Sequence, residues 1–411
     1  MTRGGLSNVT GLRCVHCGEA TDLANPVYTC GSCGGNLQVE YDWESIRRGW
    51  SRESLSKNPD PTIWRYAPLY PVESTIEAPL IGGTPLFPVP RLAESLGLRS
   101  LLIKDDSCNP SASFKDRATA IALCRARDTG RDLVVGASTG NAGSSTAVLG
   151  AAMGIQTRIF VPRAAPAAKV AQLLAFGADV LAVDGTYDDA FDLCLAATDQ
   201  FGWYNRNTGF NPFTREGKKS VSFEICEQLG WSVPDLVVVP VGDGNIISGV
   251  WKGFEDLHRI GFIDRLPRLL AVQAEGSAAI VNALDGDGVI HAVSGETVAD
   301  SISVCLPRDG EAAVQAVKAS GGLGVKVPDD EILAAILDVA RGAGVFGEPA
   351  GVASFAGLKR AVAQGRIDPD GTTVMLLTGS GLKDIASVMR VAGEPRLIPP
   401  DPERLGEIFR T

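Results

Sequence analysis

From about Pro79 onward the chain alternates short apolar runs with helix-length stretches, and no other feature restricts its fold as much. The apolar runs fall at 101–103, 133–135, 157–161, 180–183, 236–241, 269–272 and 374–377. Helical patterning separates them, at 116–127, 167–176, 187–200 and 216–229 among others. Apolar runs without polar alternation read as strands buried on both faces. A helix between successive strands carries the chain back for parallel pairing, so the expectation is an α/β chain with parallel sheets covered on both sides. Each strand ends in a turn rich in Gly or Asp, where ligands sit in such sheets. No internal repeat or low-complexity segment interrupts the pattern. At about 150 residues per domain, 411 residues imply two or three domains.

Residues 133–157 carry no charge and are long enough to span a bilayer. Their middle, however, holds Gly136, Ser138, Thr139, Gly140, Asn141, Gly143, Ser144 and Ser145, which reads as a strand, a polar glycine loop and a small-residue helix. Residues 1–10 lack the basic and apolar regions of a signal peptide. The net charge of −10, with no Lys/Arg run, argues against a nucleic-acid partner. It leaves room for an anionic small substrate, which needs only a few local cations. Nine cysteines without a secretion signal point to a reducing cytoplasm rather than a disulfide framework.

Four segments carry chemistry. The first runs from Lys104 through Asn109-Pro-Ser-Ala-Ser-Phe-Lys-Asp-Arg117, a polar loop that opens a helix at Lys115. A cation at a helix start opposes the macrodipole, which favours the neutral, nucleophilic amine. The second, Gly136 to Ser144, follows a strand and opens a helix whose free N–H groups suit a carboxylate. The third, Val241-Gly242-Asp243-Gly244-Asn245-Ile246, lets successive N–H groups converge on a phosphate. The fourth, Thr378-Gly-Ser-Gly-Leu-Lys-Asp384, again ends an apolar strand. Each alone also fits an ordinary capped strand–helix turn.

Together these strings resemble the tryptophan-synthase-β-like pyridoxal-phosphate enzymes, fold type II, and among them the threonine synthases. Asn109 to Arg117 is similar to the family's cofactor-lysine string, and Ser138-Thr-Gly-Asn141 to its Ser-x-Gly-Asn loop. Gly82-Gly-Thr-Pro-Leu86, Asp184-Gly-Thr-Tyr-Asp-Asp-Ala190 and Asn211-Pro-Phe-Thr-Arg-Glu-Gly-Lys-Lys219 add to the likeness, which spans roughly 60–395. The resemblance implies two three-layer parallel-sheet domains with the cofactor between them, 43–115 with 221–411 forming the large one and 116–220 the small one. It implies that Lys115 attaches pyridoxal 5'-phosphate and then moves protons, and that Asn141 bonds the ring hydroxyl. Gly242, Asp243, Gly244, Asn245 and Ile246 would cradle the cofactor phosphate, and Thr378 would face the pyridine nitrogen. Ser138, Thr139 and Gly140 would hold the substrate carboxylate, with Lys104, Arg163 and the 205–211 region, Asn211 included, toward a substrate phosphate. A homodimer is implied as well. Two departures stand out: Ser380 where threonine synthases commonly have His, and a short Gly-Asp-Gly-Asn phosphate loop.

Residues 1–42 form a separate cysteine module. Cys14-x-x-Cys17 and Cys30-x-x-Cys33 stand twelve residues apart, each followed by glycine. That spacing suits four thiolates on a structural zinc, which leaves no open position for catalysis. His16 lies inside the first pair and is expected exposed rather than a ligand. Residues 42–76 read as a polar, proline-containing connector. The implied reaction takes O-phospho-L-homoserine and water to L-threonine and phosphate. The alternatives are a related lyase or β-replacement enzyme, such as a cysteate synthase or a serine/threonine dehydratase, and a zinc-ribbon binding protein with a degenerate catalytic body.

Overall fold

A computed structural model describes residues 5–23, 27–404 and 409. Three sheets organise them. The first is the antiparallel set β1 (Val9–Cys14), β2 (Ala20–Thr21) and β3 (Leu37–Tyr41), ordered β2-β1-β3. The large sheet collects β4 (Leu86–Pro88), β5 (Ser100–Asp105), β10 (Leu236–Pro240), β11 (Arg268–Ala274), β12 (Leu323–Val327) and β13 (Thr372–Leu377). Its order is β12-β11-β10-β13-β5-β4, parallel throughout except for the edge strand β4. The small sheet holds β6 (Leu133–Ala137), β7 (Gln156–Pro162), β8 (Asp179–Val183) and β9 (Tyr204–Asn205), all parallel, in the order β8-β7-β6-β9. All seven expected strands are present.

The burial explains the pattern. Every residue of β10 is buried, as a central strand covered by helices on both faces requires. The charge-free stretch resolves into β6, the helix Asn141–Met153 and β7. That helix approaches the sheet so closely that a Cβ on Gly143 would lie 2.1 Å from the Ser138 carbonyl oxygen, so only glycine fits. Among the described residues no helix is long and apolar enough to cross a membrane.

Two expectations are corrected. The helix read at 216–229 is two, Phe213–Lys218 and Ser220–Gln228, joined through a helical Lys219. The stretch 42–76 is no polar connector: Ile63, Trp64, Tyr66, Leu69 and Tyr70 are buried in the main core. Trp64 donates from Nε1 to the Ile76 carbonyl at 2.9 Å, which lets its large apolar ring stay inside.

Candidate active site

Lys115 begins the helix Lys115–Asp128, whose residues Asp116 to Ala126 are all buried. The loop before it is pinned to the end of β13. Phe114 N donates to the Thr378 carbonyl at 2.9 Å, and Ser380 N donates to the Ala112 carbonyl at 3.0 Å. These bonds bring the first and fourth segments together. Lys115 Nζ has no hydrogen-bond or ion-pair partner among the described residues. Burial, and then the Arg206 guanidinium, push its amine down to about 8.

The helix Asn141–Met153 starts beside it. Its first regular bond is Ser144 N to the Gly140 carbonyl at 3.1 Å. The N–H groups ahead of Ser144 therefore lack helical acceptors, the arrangement that favours an anion at a helix start. Ser138 Oγ closes the turn by accepting from Gly140 N at 3.2 Å. Asn141 Nδ2 donates to Glu348 Oε1 at 2.6 Å and Ser301 Oγ at 3.1 Å, while its Oδ1 is buried without a partner. Burial raises the Glu348 carboxyl, against the hydrogen bond from Asn141. Thr139, Gly140, Asn141, Glu348, Lys169 and Lys383 line a cavity of about 320 Å³. The Lys169–Asp300 ion pair, at 2.5 Å, ties one wall of it to the other.

The glycine turn after β10 also comes near Lys115, whose amine feels the Asp243 charge. Gly244 has φ +89° and caps the helix Asn245–Arg259, and a Cβ there would meet the Asp309 carbonyl oxygen at 2.6 Å. Asp243 is less awkward near a phosphate than its charge suggests. Its Oδ1 accepts from Arg308 N at 2.5 Å, and burial pushes its carboxyl up to about 6. Lys218 donates to Asn245 Oδ1 and forms no ion pair among the described residues. Burial, then Lys115 and Arg206, hold its amine well below the usual lysine range. Arg206 is 3% exposed, bonds Thr119 Oγ1 at 2.9 Å, leaves Nε unpartnered and likewise has no ion pair. Burial lowers it to about 10. Buried cations without carboxylates are costly unless an anion joins them.

Three expected phosphate groups do not join this site. Lys104 is fully buried, with all three donors spent on Thr84 O at 2.7 Å, Glu224 Oε2 at 2.6 Å and Gln228 Oε1 at 2.9 Å. Arg163 is on the surface, its side chain 75% exposed and paired with Asp184. Asn211 donates to the Asn205 carbonyl and accepts from Phe213 N, so its amide holds the loop. Arg206 and Lys218 instead lie near Lys115, and Lys383 lines the cavity, donating to the Ser111 carbonyl at 2.8 Å and to Ser144 Oγ at 2.9 Å. The first is the lone charge in the 205–211 stretch, and the others lie inside strings already quoted.

A phosphorylated aromatic aldehyde with a ring hydroxyl would answer these features together: a free amine, an unpartnered buried amide oxygen, a glycine turn and unpaired cations. The residues fit pyridoxal phosphate. They match the family of pyridoxal-phosphate dependent enzymes over 77–379, and the chain belongs to that family, in its fold type II class. Within it the chain stands among the threonine synthases. It is 39% identical to the threonine synthase of Methanocaldococcus jannaschii, over 97% of this chain and 99% of the relative. It is 40% identical to that of Methanosarcina acetivorans, over 94% of this chain and 95% of the relative. Among solved structures, the processed form of threonine deaminase isoform 2 from Solanum lycopersicum superposes with a TM-score of 0.64. At 24% identity, over 76% of this chain and 88% of that one, it speaks for the fold alone.

In the N-terminal module the four thiolates converge. Sγ–Sγ separations are 3.5 Å for Cys14–Cys33, 3.7 Å for Cys17–Cys30 and 3.4 Å for Cys17–Cys33. All four sulfurs lie within 4.8 Å of one another. Zinc with sulfurs at about 2.3 Å in a tetrahedron spaces them by roughly 3.8 Å, so the set fits that ion. His16 is outside it, bonded to Glu311 at 3.0 Å.

Proposed function

We propose that the chain converts O-phospho-L-homoserine and water to L-threonine and phosphate. The observation that carries this reading is the Lys115 amine, unpartnered among the described residues and held near pKa 8 beside two buried cations that form no ion pair among them. When bound, pyridoxal phosphate supplies an electron sink for negative charge at the substrate's α-carbon.

The protein's own groups divide the remaining work. The turn 138–141 is suited to the substrate carboxylate, through free N–H groups at the helix start. Asn141, oriented by Glu348, offers its amide to the ring hydroxyl. Thr378 Oγ1 has no protein partner among the described residues and is free for the pyridine nitrogen. The turn 242–246 with Lys218 takes the cofactor phosphate. Arg206 and Lys383 are assigned to the substrate's phosphate, whose charge grows as it leaves. Lys115 Nζ removes the α-proton and returns protons at the neighbouring carbons, with the advantage of fixed proximity. We further assign 43–115 with 221–411 to the large domain, 116–220 to the small one, and the working form to a cytoplasmic homodimer.

The test is release of phosphate and threonine from O-phosphohomoserine by the wild type and by Lys115→Ala. Equal amounts of both, lost in the variant, support the reading. No turnover by cofactor-loaded protein refutes it and moves the search to phosphoserine, serine and threonine.

A further inference from the structure

The thiolate module is packed against the catalytic body at the points where that body holds anions. Asn36 directly follows the second cysteine pair and its glycines. Its Nδ2 donates to the Arg308 carbonyl at 2.6 Å and to Asp309 Oδ1 at 2.8 Å. Asp309 is buried and collects the turn after β10: Asn245 Nδ2 and Ser248 Oγ both donate to its Oδ2 at 2.7 Å, and Arg215 pairs with its Oδ1. The backbone repeats the tie, since Asp309 N donates to the Asp243 carbonyl at 3.0 Å. Four side-chain donors thus fix one carboxylate, and one of them comes from the cysteine module. Two further contacts run the same way. Tyr28 Oη accepts from Asn205 N at 2.9 Å, next to Arg206, and Tyr41 Oη donates to Glu216 Oε2 at 2.6 Å, between Arg215 and Lys218.

We propose that Asn36, set in place by the second thiolate knuckle, is a positioning residue for the phosphate-binding turn and acts on it through Asp309. Without Asn36, one acceptor site on Asp309 Oδ1 and the Arg308 carbonyl lose their shared donor. The carboxylate can then rotate, and Asn245 and Ser248 lose the anchor that aims the helix start. The metal, by ordering the knuckle, becomes a determinant of cofactor affinity without touching the cofactor. The inference rests on reading 242–246 as the phosphate turn.

The experiment measures the binding of pyridoxal phosphate and of pyridoxal, which lacks the phosphate, to the full-length chain. Wild type is compared with Asn36→Ala, and with His16→Ala as a control on the exposed side of the same module. Asn36→Ala is expected to bind pyridoxal phosphate about tenfold more weakly, the scale of one lost charge-assisted hydrogen bond. Pyridoxal binding stays within about twofold, as for a change confined to the phosphate increment. Zinc content and kcat at saturating cofactor do not change, and His16→Ala matches wild type. Chelating the zinc brings wild type to the affinity of Asn36→Ala and adds nothing to that variant. Unchanged phosphate preference in Asn36→Ala, equal losses for both ligands, or additive losses with chelation would each overturn the proposal. A wild type that binds both ligands equally would instead remove the phosphate-turn reading beneath it.

Discussion

Replacing Lys104 by methionine keeps the length of the side chain and removes its charge, which separates two roles for this residue. Lys104 belongs to a buried cluster with Arg117, Glu224, Asp106 and Thr84. Arg117 Nε meets Asp106 Oδ2 at 2.6 Å, and its Nη1 and Nη2 meet Glu224 at 2.6 and 2.8 Å. Burial pushes the Glu224 carboxyl up, but Arg117 and then Lys104 overcome it and hold it at about 2. The drop from 4.5 corresponds to roughly 3 kcal/mol at 1.36 kcal/mol per unit. Lys104 is the smaller contributor, and burial leaves its own amine below the usual range despite Glu224.

The methionine variant therefore forfeits less than half of that gain and strands Gln228 Oε1, while the Thr84 carbonyl keeps its bond from Gln228 Nε2, for a net loss of about 1–2 kcal/mol. Arg117→Met leaves Asp106 without its ion pair and Glu224 with Lys104 alone, and costs more, about 3–5 kcal/mol. With an unfolding entropy of about 2.1 cal/mol/K per residue over 411 residues, these losses lower the thermal midpoint by about 1–2 °C and about 4–6 °C. Glu224 has a depressed folded pKa, so its contribution is complete above 4.5 and fades as pH falls toward 2. The Lys104→Met deficit shrinks over the same window. Calorimetry across pH and steady-state kinetics on one preparation check all of this. The KM for O-phosphohomoserine is expected within about twofold of wild type, because no Lys104 donor is free to bind substrate. A tenfold rise in KM with an unmoved midpoint would refute the reasoning and return Lys104 to the substrate.

The Lys115 amine near 8 makes the cofactor-free chain capture pyridoxal phosphate with a half-maximal rate near pH 8. At pH 7 about one amine in ten is neutral, against roughly one in three thousand for an unperturbed lysine; stopped-flow absorbance across pH measures this, and a midpoint above 10 contradicts it. Arg206→Gln is expected to raise KM for the phosphorylated substrate about tenfold or more while leaving the thermal midpoint unchanged or higher, because an unpaired buried guanidinium costs stability; an unchanged KM with a lower midpoint argues for a structural arginine. Cys33→Ser is expected to reduce bound zinc from one per chain to none and to lower the thermal midpoint, read by metal analysis and calorimetry; a wild type free of zinc but equally stable contradicts the structural role.

The parts legible in the sequence share one physical property: their signal is local. A run such as Val237–Val238–Val239 is buried on both faces wherever its neighbours lie, and two Cys-x-x-Cys turns aim sulfurs inward through short-range geometry. Strands β4 and β9 escaped because they are only three and two residues long, and β12 because an exposed Lys326 breaks its apolar run. The stretch 42–76 was misread because its prolines and charges hide the aromatic residues that pack into the core.

Assigning cations to anion sites fails for a different reason. Lys104 ends an apolar strand beside the catalytic string, and Arg163 follows β7, both positions where ligands gather. What disqualifies them is a carboxylate supplied from far along the chain: Glu224, 120 residues away, for Lys104, and Asp184 for Arg163. Arg206 and Lys218, proposed as binding groups, are buried and form no ion pair among the described residues. A missing counter-charge is a property of the assembled interior and leaves no trace in residue order. The buried cations without an ion pair are therefore the proposed binding groups, and Asp309 shows the reverse case. Its four donors, gathered from 36, 215, 245 and 248, make it a fixed strut rather than a free acid.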